Sequence, residues 1–203
     1  MDIQTKRIIG RSMIRAIIFD CFGVLVGKGF DETYRSAGGD PRIDHDIITS
    51  LLGRTNLGLM SETQFHQEIA VQLGITLSGW RKAVRQSEQP DIELLEYIEQ
   101  LRKKFKTAVL SNANRGVVQH KIGKHWLKRC FDSVVVSAEV GRVKPDPAIY
   151  QYAADSLGVQ VAECVFFDDM ERYARAADQA GMHGIVYQNL AQAQAELRLL
   201  SAT

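Results

Sequence analysis

Residues 16–25 run Ala16-Ile17-Ile18-Phe19 and then stop abruptly on Asp20-Cys21-Phe22-Gly23, an apolar segment ended by a carboxylate and a glycine turn. The β-branched and aromatic side chains at 17–19 read as a strand covered on both faces, the pattern of a parallel sheet enclosed by helices. In open α/β sheets ligands collect beyond the carboxyl ends of the strands, so Asp20 is expected to face a pocket.

The remainder of the chain agrees with that architecture from Pro90 onward, where strand and helix patterns alternate. A helix is expected over 91–104, with Ile92, Leu95, Ile98 and Leu101 on one face and the basic run 102–104 at its carboxyl end. Short strands follow at 107–110, 134–136 and 165–167, ending in Ser111-Asn112, Ser137 and Asp168-Asp169. A helix from Asp146-Pro147 to Gly158, another over 171–180 and a last strand at 185–187 complete the pattern. Between the first strand and Pro90 the sequence behaves differently. Residues 27–41 read as a polar, glycine-containing linker. Residues 43–89 carry helical periodicity with no convincing strand, with Ser61 and Gln64 as a capping box and Ser78 as the cap of a later helix. The expected fold is therefore α/β: a Rossmann-like parallel sheet flanked by helices over 14–27 and 91–203, with a small all-helical insert over 28–90 and a flexible N-terminal arm over 1–13.

Composition excludes several classes of function. With 45% hydrophobic residues and a formal net charge of +1 over 203 residues, the chain has the makings of a sizeable core and no large basic field for nucleic acid or acidic membranes. No apolar run approaches the roughly 18 residues of a membrane helix. Three cysteines without CxxC spacing read as reduced thiols. A cytoplasmic monomer or homodimer acting on a small molecule, without nucleic acid or membrane partners, is the expectation.

Polar residues at the ends of several parallel strands converge in space, so Asp20, Ser111, Lys144, Asp168 and Asp169 can form one site. Three carboxylates crowded together repel unless a hard divalent cation sits among them, and a lysine with a hydroxyl suits an oxyanion. The set reads as magnesium plus phosphate.

Four segments, Ile-Phe-Asp20-Cys-Phe22-Gly-Val-Leu, Leu-Ser111-Asn112, Val-Lys144-Pro-Asp-Pro-Ala-Ile-Tyr150 and Phe-Phe-Asp168-Asp169, resemble in order and spacing the motifs of the haloacid dehalogenase-like hydrolases. The resemblance covers 14–190, the helical insert matches that family's small cap, and the overall feel is nearest to its small sugar-phosphate phosphatases. It implies a magnesium-dependent phosphatase in which Asp20 attacks phosphorus, forming an aspartyl-phosphate that water hydrolyses. Ser111, Asn112 and Lys144 would bind the phosphoryl group, and Asp20, Asp168, Asp169 and the backbone carbonyl of Phe22 would hold Mg2+. Two departures stand out. Relatives carry a second Asp two residues after the nucleophile, as proton carrier; here Phe22 occupies that position, a loss that typically costs about 10² to 10⁴ in rate. Tyr173 stands where relatives often place an Asn or an acid.

Each residue also has an ordinary reading. Alone, Asp20, Ser111, Asp168 and Asp169 are helix caps or loop anchors, and Lys144 is a solvated lysine. Tyr150, Phe65 and Trp80 read as core, the five histidines as surface or packing residues, and 121–129 as a solvated helix face. Two alternatives to the phosphatase follow from Phe22: a 2-haloacid dehalogenase-type hydrolase, and a non-catalytic binding or regulatory protein of the same fold.

Overall fold

The computed structural model describes residues 13–27 and 29–201. Apart from Met13, which is exposed, the arm expected over 1–13 lies outside the described residues. Five strands, β1 (Ala16–Phe19), β2 (Lys106–Ser111), β3 (Ser133–Val136), β4 (Cys164–Asp168) and β5 (His183–Val186), form one parallel sheet in the order β3-β2-β1-β4-β5. The chain moves outward from β1 to one edge and then crosses to the other side, so the order reverses beside β1, where open sheets leave a crevice.

Because successive strand side chains alternate between faces, the sheet splits its apolar residues into two layers. Ile17, Phe19, Val109, Val165 and Phe167 pack on one face with α5 (Ile92–Leu101), α6 (Val117–Ile122), α7 (Lys124–Cys130) and α11 (Leu190–Ser201). Ala16, Ile18, Ala108, Leu110 and Phe166 pack on the other with α9 (Pro147–Leu157) and α10 (Glu171–Gln179). Phe19 pairs in register with Phe167, their rings stacked at 5.5 Å. Both are fully buried, each contributing about 1.5–3 kcal/mol relative to exposure.

Between β1 and α5 the chain forms α1 (Phe30–Ser36), α2 (His45–Asn56), α3 (Glu62–Gln72) and α4 (Leu77–Ser87), around an apolar cluster of their own that includes Tyr34, Ile48, Leu51, Phe65, Ile69 and Trp80. The strands entering and leaving this group are stitched together. Gly27 donates to the carbonyl of Gln89 and Asp91 to that of Leu25, both at 2.9 Å, and Val26 bridges Pro90. The approach is so close that a Cβ on Gly27 would lie 2.1 Å from the carbonyl oxygen of Ser87. At the far side, Asn114 Nδ2 donates to the carbonyl of Met60 at 2.6 Å and Ser137 Oγ to that of Asn56 at 2.6 Å. The short helix α8 (Ser137–Val140) carries the second of these contacts.

The structure corrects several local expectations. The stretch 27–41 is not all linker: α1 forms there because Phe30 and the fully buried Tyr34 pack against Trp80, packing that its polar composition does not advertise. The cap of α4 is Thr76, whose hydroxyl accepts from Gly79, while Ser78 only bonds that hydroxyl. Helix α5 stops at Leu101, so 102–104 lies beyond it, with Arg102 reaching to Asp132 and to the carbonyls of Lys128 and Arg129. The stretch 121–129 is no single solvated face: Gly123, at φ +85°, divides it, and Lys121 is withdrawn from solvent in an ion pair with Glu88 at 2.6 Å. Among the described residues, no helix is long and apolar enough to cross a membrane.

Candidate active site

Asp20 directly follows β1, and its N–H still donates to Phe167 at 2.8 Å, so the nucleophile candidate is fixed by the sheet ladder. Ser111 is the last residue of β2, Asp168 the last of β4, and Asp169 the next. Lys144 comes from the loop between α8 and α9. Its ammonium, almost fully buried, donates to Asp20 Oδ1 at 2.8 Å and to Asp168 Oδ2 at 2.6 Å. The remaining Asp168 oxygen accepts from the Met170 N–H at 2.9 Å. These contacts replace the solvated-lysine and simple-cap readings.

The charges do not balance. Asp20, Asp168 and Asp169 each offer an oxygen within 4.8 Å of the others, against one ammonium. Burial, partly opposed by Lys144 and reinforced by Asp168, pushes the Asp20 carboxyl up to about 7. Burial and then Asp168 push Asp169 up to about 6. Lys144 moves the other way: burial disfavours its charge, but Asp20 and Asp168 outweigh that and raise its pKa. A cluster of acids with excess negative charge and oxygen-only donors fits a hard divalent cation such as Mg2+. Asp169 is the most open of the three, and its carboxylate rests in a glycine cradle: a Cβ on Gly23 would stand 2.3 Å from its Oδ2. The hydrogen bonds that close the turn after Asp20 end on the carbonyls of Cys21 and Val26, leaving the Phe22 carbonyl outside them.

The Ser111 hydroxyl is fully buried and has no hydrogen-bond partner, a costly state that an oxyanion at this strand end would relieve. Asn112 is differently employed. Its Oδ1 accepts the Lys144 N–H at 2.8 Å and its Nδ2 donates to the Lys144 carbonyl at 2.9 Å, so its side chain is a strut under the lysine. Tyr173 lies against the same ammonium, ring centre 4.9 Å away, and Phe166 at 5.2 Å. Tyr150 is buried, as expected, and donates to the carbonyl of Tyr173 at 3.0 Å.

A cleft of about 190 Å³ opens from Asp20 and Lys144 toward α1, α2 and α3. Its walls include Phe22, Phe30 and Phe65, and also four polar residues not picked out from the sequence as site residues: Glu62, His66, Glu88 and Lys121. No periodicity marks these, because their meeting depends on how the helices fold back on the sheet.

The family model described as haloacid dehalogenase-like hydrolase matches residues 14–181. The D-ribitol-5-phosphate phosphatase of Bacteroides thetaiotaomicron is 25% identical, over 93% of this chain and 98% of its own. The phosphorylated carbohydrates phosphatase of Thermotoga maritima is 26% identical, over 86% of each. Among solved structures, a HAD-like family hydrolase from Porphyromonas gingivalis superposes with a TM-score of 0.71 at 26% identity, over 93% of this chain and 98% of that one. A HAD family enzyme from Bacteroides thetaiotaomicron, in complex with magnesium and inorganic phosphate, does so with a TM-score of 0.64 at 20% identity, over 86% and 94%.

Proposed function

The chain belongs to the haloacid dehalogenase-like hydrolases, and from that premise we propose that it is a magnesium-dependent phosphatase of small phosphorylated metabolites, sugar and polyol phosphates foremost. The observation that carries this reading is the buried Lys144, shared between Asp20 and Asp168, with the unpartnered Ser111 hydroxyl at the end of the adjoining strand β2. The D-ribitol-5-phosphate and carbohydrate phosphatases among its relatives, and the magnesium and phosphate in a relative of the same fold, support it.

Asp20 attacks phosphorus with the oxygen not held by Lys144, the P–O bond to the leaving group breaks, and an aspartyl-phosphate forms. Lys144, Ser111 and the backbone N–H of Asn112 hold the non-bridging oxygens as charge develops on them. Bound Mg2+ would supply Lewis-acid polarisation and offset the excess carboxylate charge; Asp20, Asp169, Asp168 and the Phe22 carbonyl are the residues that would hold it. Water then attacks the acyl-phosphate and releases phosphate, returning Asp20. The helical group α1–α4 acts as the cap over this site. Phe22 supplies no proton, so leaving groups that depart without protonation should react fastest.

Phe22 is the one observation favouring the dehalogenase alternative. The three clustered acids weigh against it, since a haloacid substrate would bring a fourth carboxylate to a site already short of positive charge. The test is phosphate release from p-nitrophenyl phosphate with magnesium. Wild-type turnover lost on adding EDTA and in Asp20→Asn supports the reading, and undiminished turnover in Asp20→Asn would sink it. Chloride release from 2-chloropropionate in EDTA would favour the dehalogenase.

A further inference from the structure

The cleft wall carries a second set of charged residues, Glu62, Glu88 and Lys121, on elements other than those that carry the phosphoryl site. Lys121 Nζ and Glu88 Oε2 form a pair 2.6 Å apart with both side chains only about a tenth exposed. Glu88 immediately precedes the stitched neck, between Ser87, which touches Gly27, and Gln89, which accepts from it. Its backbone is therefore fixed to the turn that carries Asp20 and Phe22, and its charge is felt at the Cys21 thiol. Lys121 also reaches electrostatically to Glu62, in the first turn of α3.

Glu62 is oriented from behind. Trp80 Nε1 donates to His66 Nδ1 at 2.7 Å, which places the imidazole proton on Nε2, 3.5 Å from Glu62 Oε1. With Nδ1 taken by an indole N–H, His66 cannot become a second cation without breaking that bond. The hydrogen bond from His66 leads the influences that hold the Glu62 carboxyl below its ordinary value, against burial and with help from Lys121. Among the described residues that line it, this end of the cleft thus presents two carboxylates and one ammonium, which is already paired; His120, which also acts on Glu62, is exposed and outside the lining. Arg172, a further cation on the cleft wall, belongs to the other end: its guanidinium lies 4.5 Å over the Tyr173 ring and bonds the phenol oxygen at 2.9 Å.

Resting on the phosphatase reading above, we propose that Glu62, with the Glu88–Lys121 pair, selects phosphate esters whose far end is uncharged and hydroxylated and turns away those that carry a second anionic group. Carboxylates accept strong hydrogen bonds from hydroxyls, whereas an incoming carboxylate meets like charge there, and among the described residues lining that end the one ammonium is already paired. His66 and Trp80 are positioning residues for Glu62.

The matched probes are glucitol 6-phosphate and 6-phosphogluconate, which differ at one terminus, a hydroxymethyl in the first and a carboxylate in the second. Binding of each is measured by calorimetry with magnesium on the Asp20→Asn protein, where turnover does not interfere. Glucitol 6-phosphate should bind at least about tenfold tighter, and Glu62→Gln in the same background should narrow that ratio, chiefly by improving 6-phosphogluconate. Equal affinities, a preference for the acid, no binding of either ester, or a ratio unmoved by both Glu62→Gln and Glu88→Gln would overturn the assignment. Melting curves identify a variant that has failed to fold, and the other glutamate then carries the test. A wild-type protein that retains the binding preference but releases no phosphate from p-nitrophenyl phosphate would refute the phosphatase reading alone.

Discussion

Asn112 grips Lys144 by both backbone groups: its amide oxygen takes the lysine N–H at 2.8 Å and its amide nitrogen gives to the lysine carbonyl at 2.9 Å. The ammonium set among the clustered acids is therefore aimed by a side chain thirty-two positions earlier in the chain. Replacing Asn112 with Ala should lower kcat by roughly 10²-fold, because a displacement of about 1 Å in a positioned group costs that much. Steady-state kinetics with p-nitrophenyl phosphate tests this; a loss under threefold would show that Lys144 holds its place unaided.

Ser111 should separate stability from activity. Its hydroxyl bonds nothing in the protein, so Ser111→Ala removes no folding contact and should change stability by less than about 0.5 kcal/mol, or raise it. Turnover should nevertheless fall by roughly 10²-fold, the usual effect of deleting one oxyanion donor. Paired melting curves and kinetics read out the two effects, and a large drop in melting temperature would contradict the expectation.

Phe22 is half-buried against the sheet core, so Phe22→Asp should cost stability, about 1–3 kcal/mol. If its place is that of a missing proton carrier, the same change should raise kcat/KM for alkyl phosphates by roughly 10²-fold, while p-nitrophenyl phosphate, with its good leaving group, changes little. Comparing the two substrate types on one variant cancels its folding defect.

Acid should act through Asp132 at the opposite end of the sheet. Its Oδ2 accepts the Thr107 N–H at 3.0 Å, and its Oδ1 accepts from Arg102 at 3.0 and 3.2 Å. Burial works against the charge, but these bonds prevail and hold the carboxyl below its usual value. The unfolded chain therefore binds the proton more readily. The stability that Asp132 supplies is present above the ordinary carboxylate pKa, near 4, and fades as pH falls through the depressed native value. Asp132→Ala should cost about 2 kcal/mol at pH 7, with a gap to wild type that narrows toward pH 3 in urea titrations.

How much of this was legible beforehand depended on the range of the interaction. The strands at 16–19, 106–111 and 164–168 announce themselves because apolar runs end in polar residues, and the strand ends bring Asp20, Asp168 and Asp169 together, with Ser111 at the end of the adjoining strand, by topology alone. Helix α11 has a local signal as well, since Leu190, Ala193 and Leu197 recur at helical spacing. Other features are not local. The helicity of α1 rests on Phe30 and Tyr34 meeting Trp80, some fifty residues on. Lys121 looks like a solvated lysine in any window that excludes Glu88. The strut role of Asn112 is invisible without the fold that brings Lys144 to it.

The seam at Gly27 and Gln89 has an implication for how such chains diversify. Because the two crossing strands are bonded to each other and not only to what lies beyond them, residues 29–88 form a closed cassette with its ends side by side. Recombination at that seam would exchange one helical wall of the cleft for another while every hydrogen bond of the sheet survives. Gly27 is then the residue that a compatible splice cannot alter, since any side chain there would collide with the backbone of Ser87.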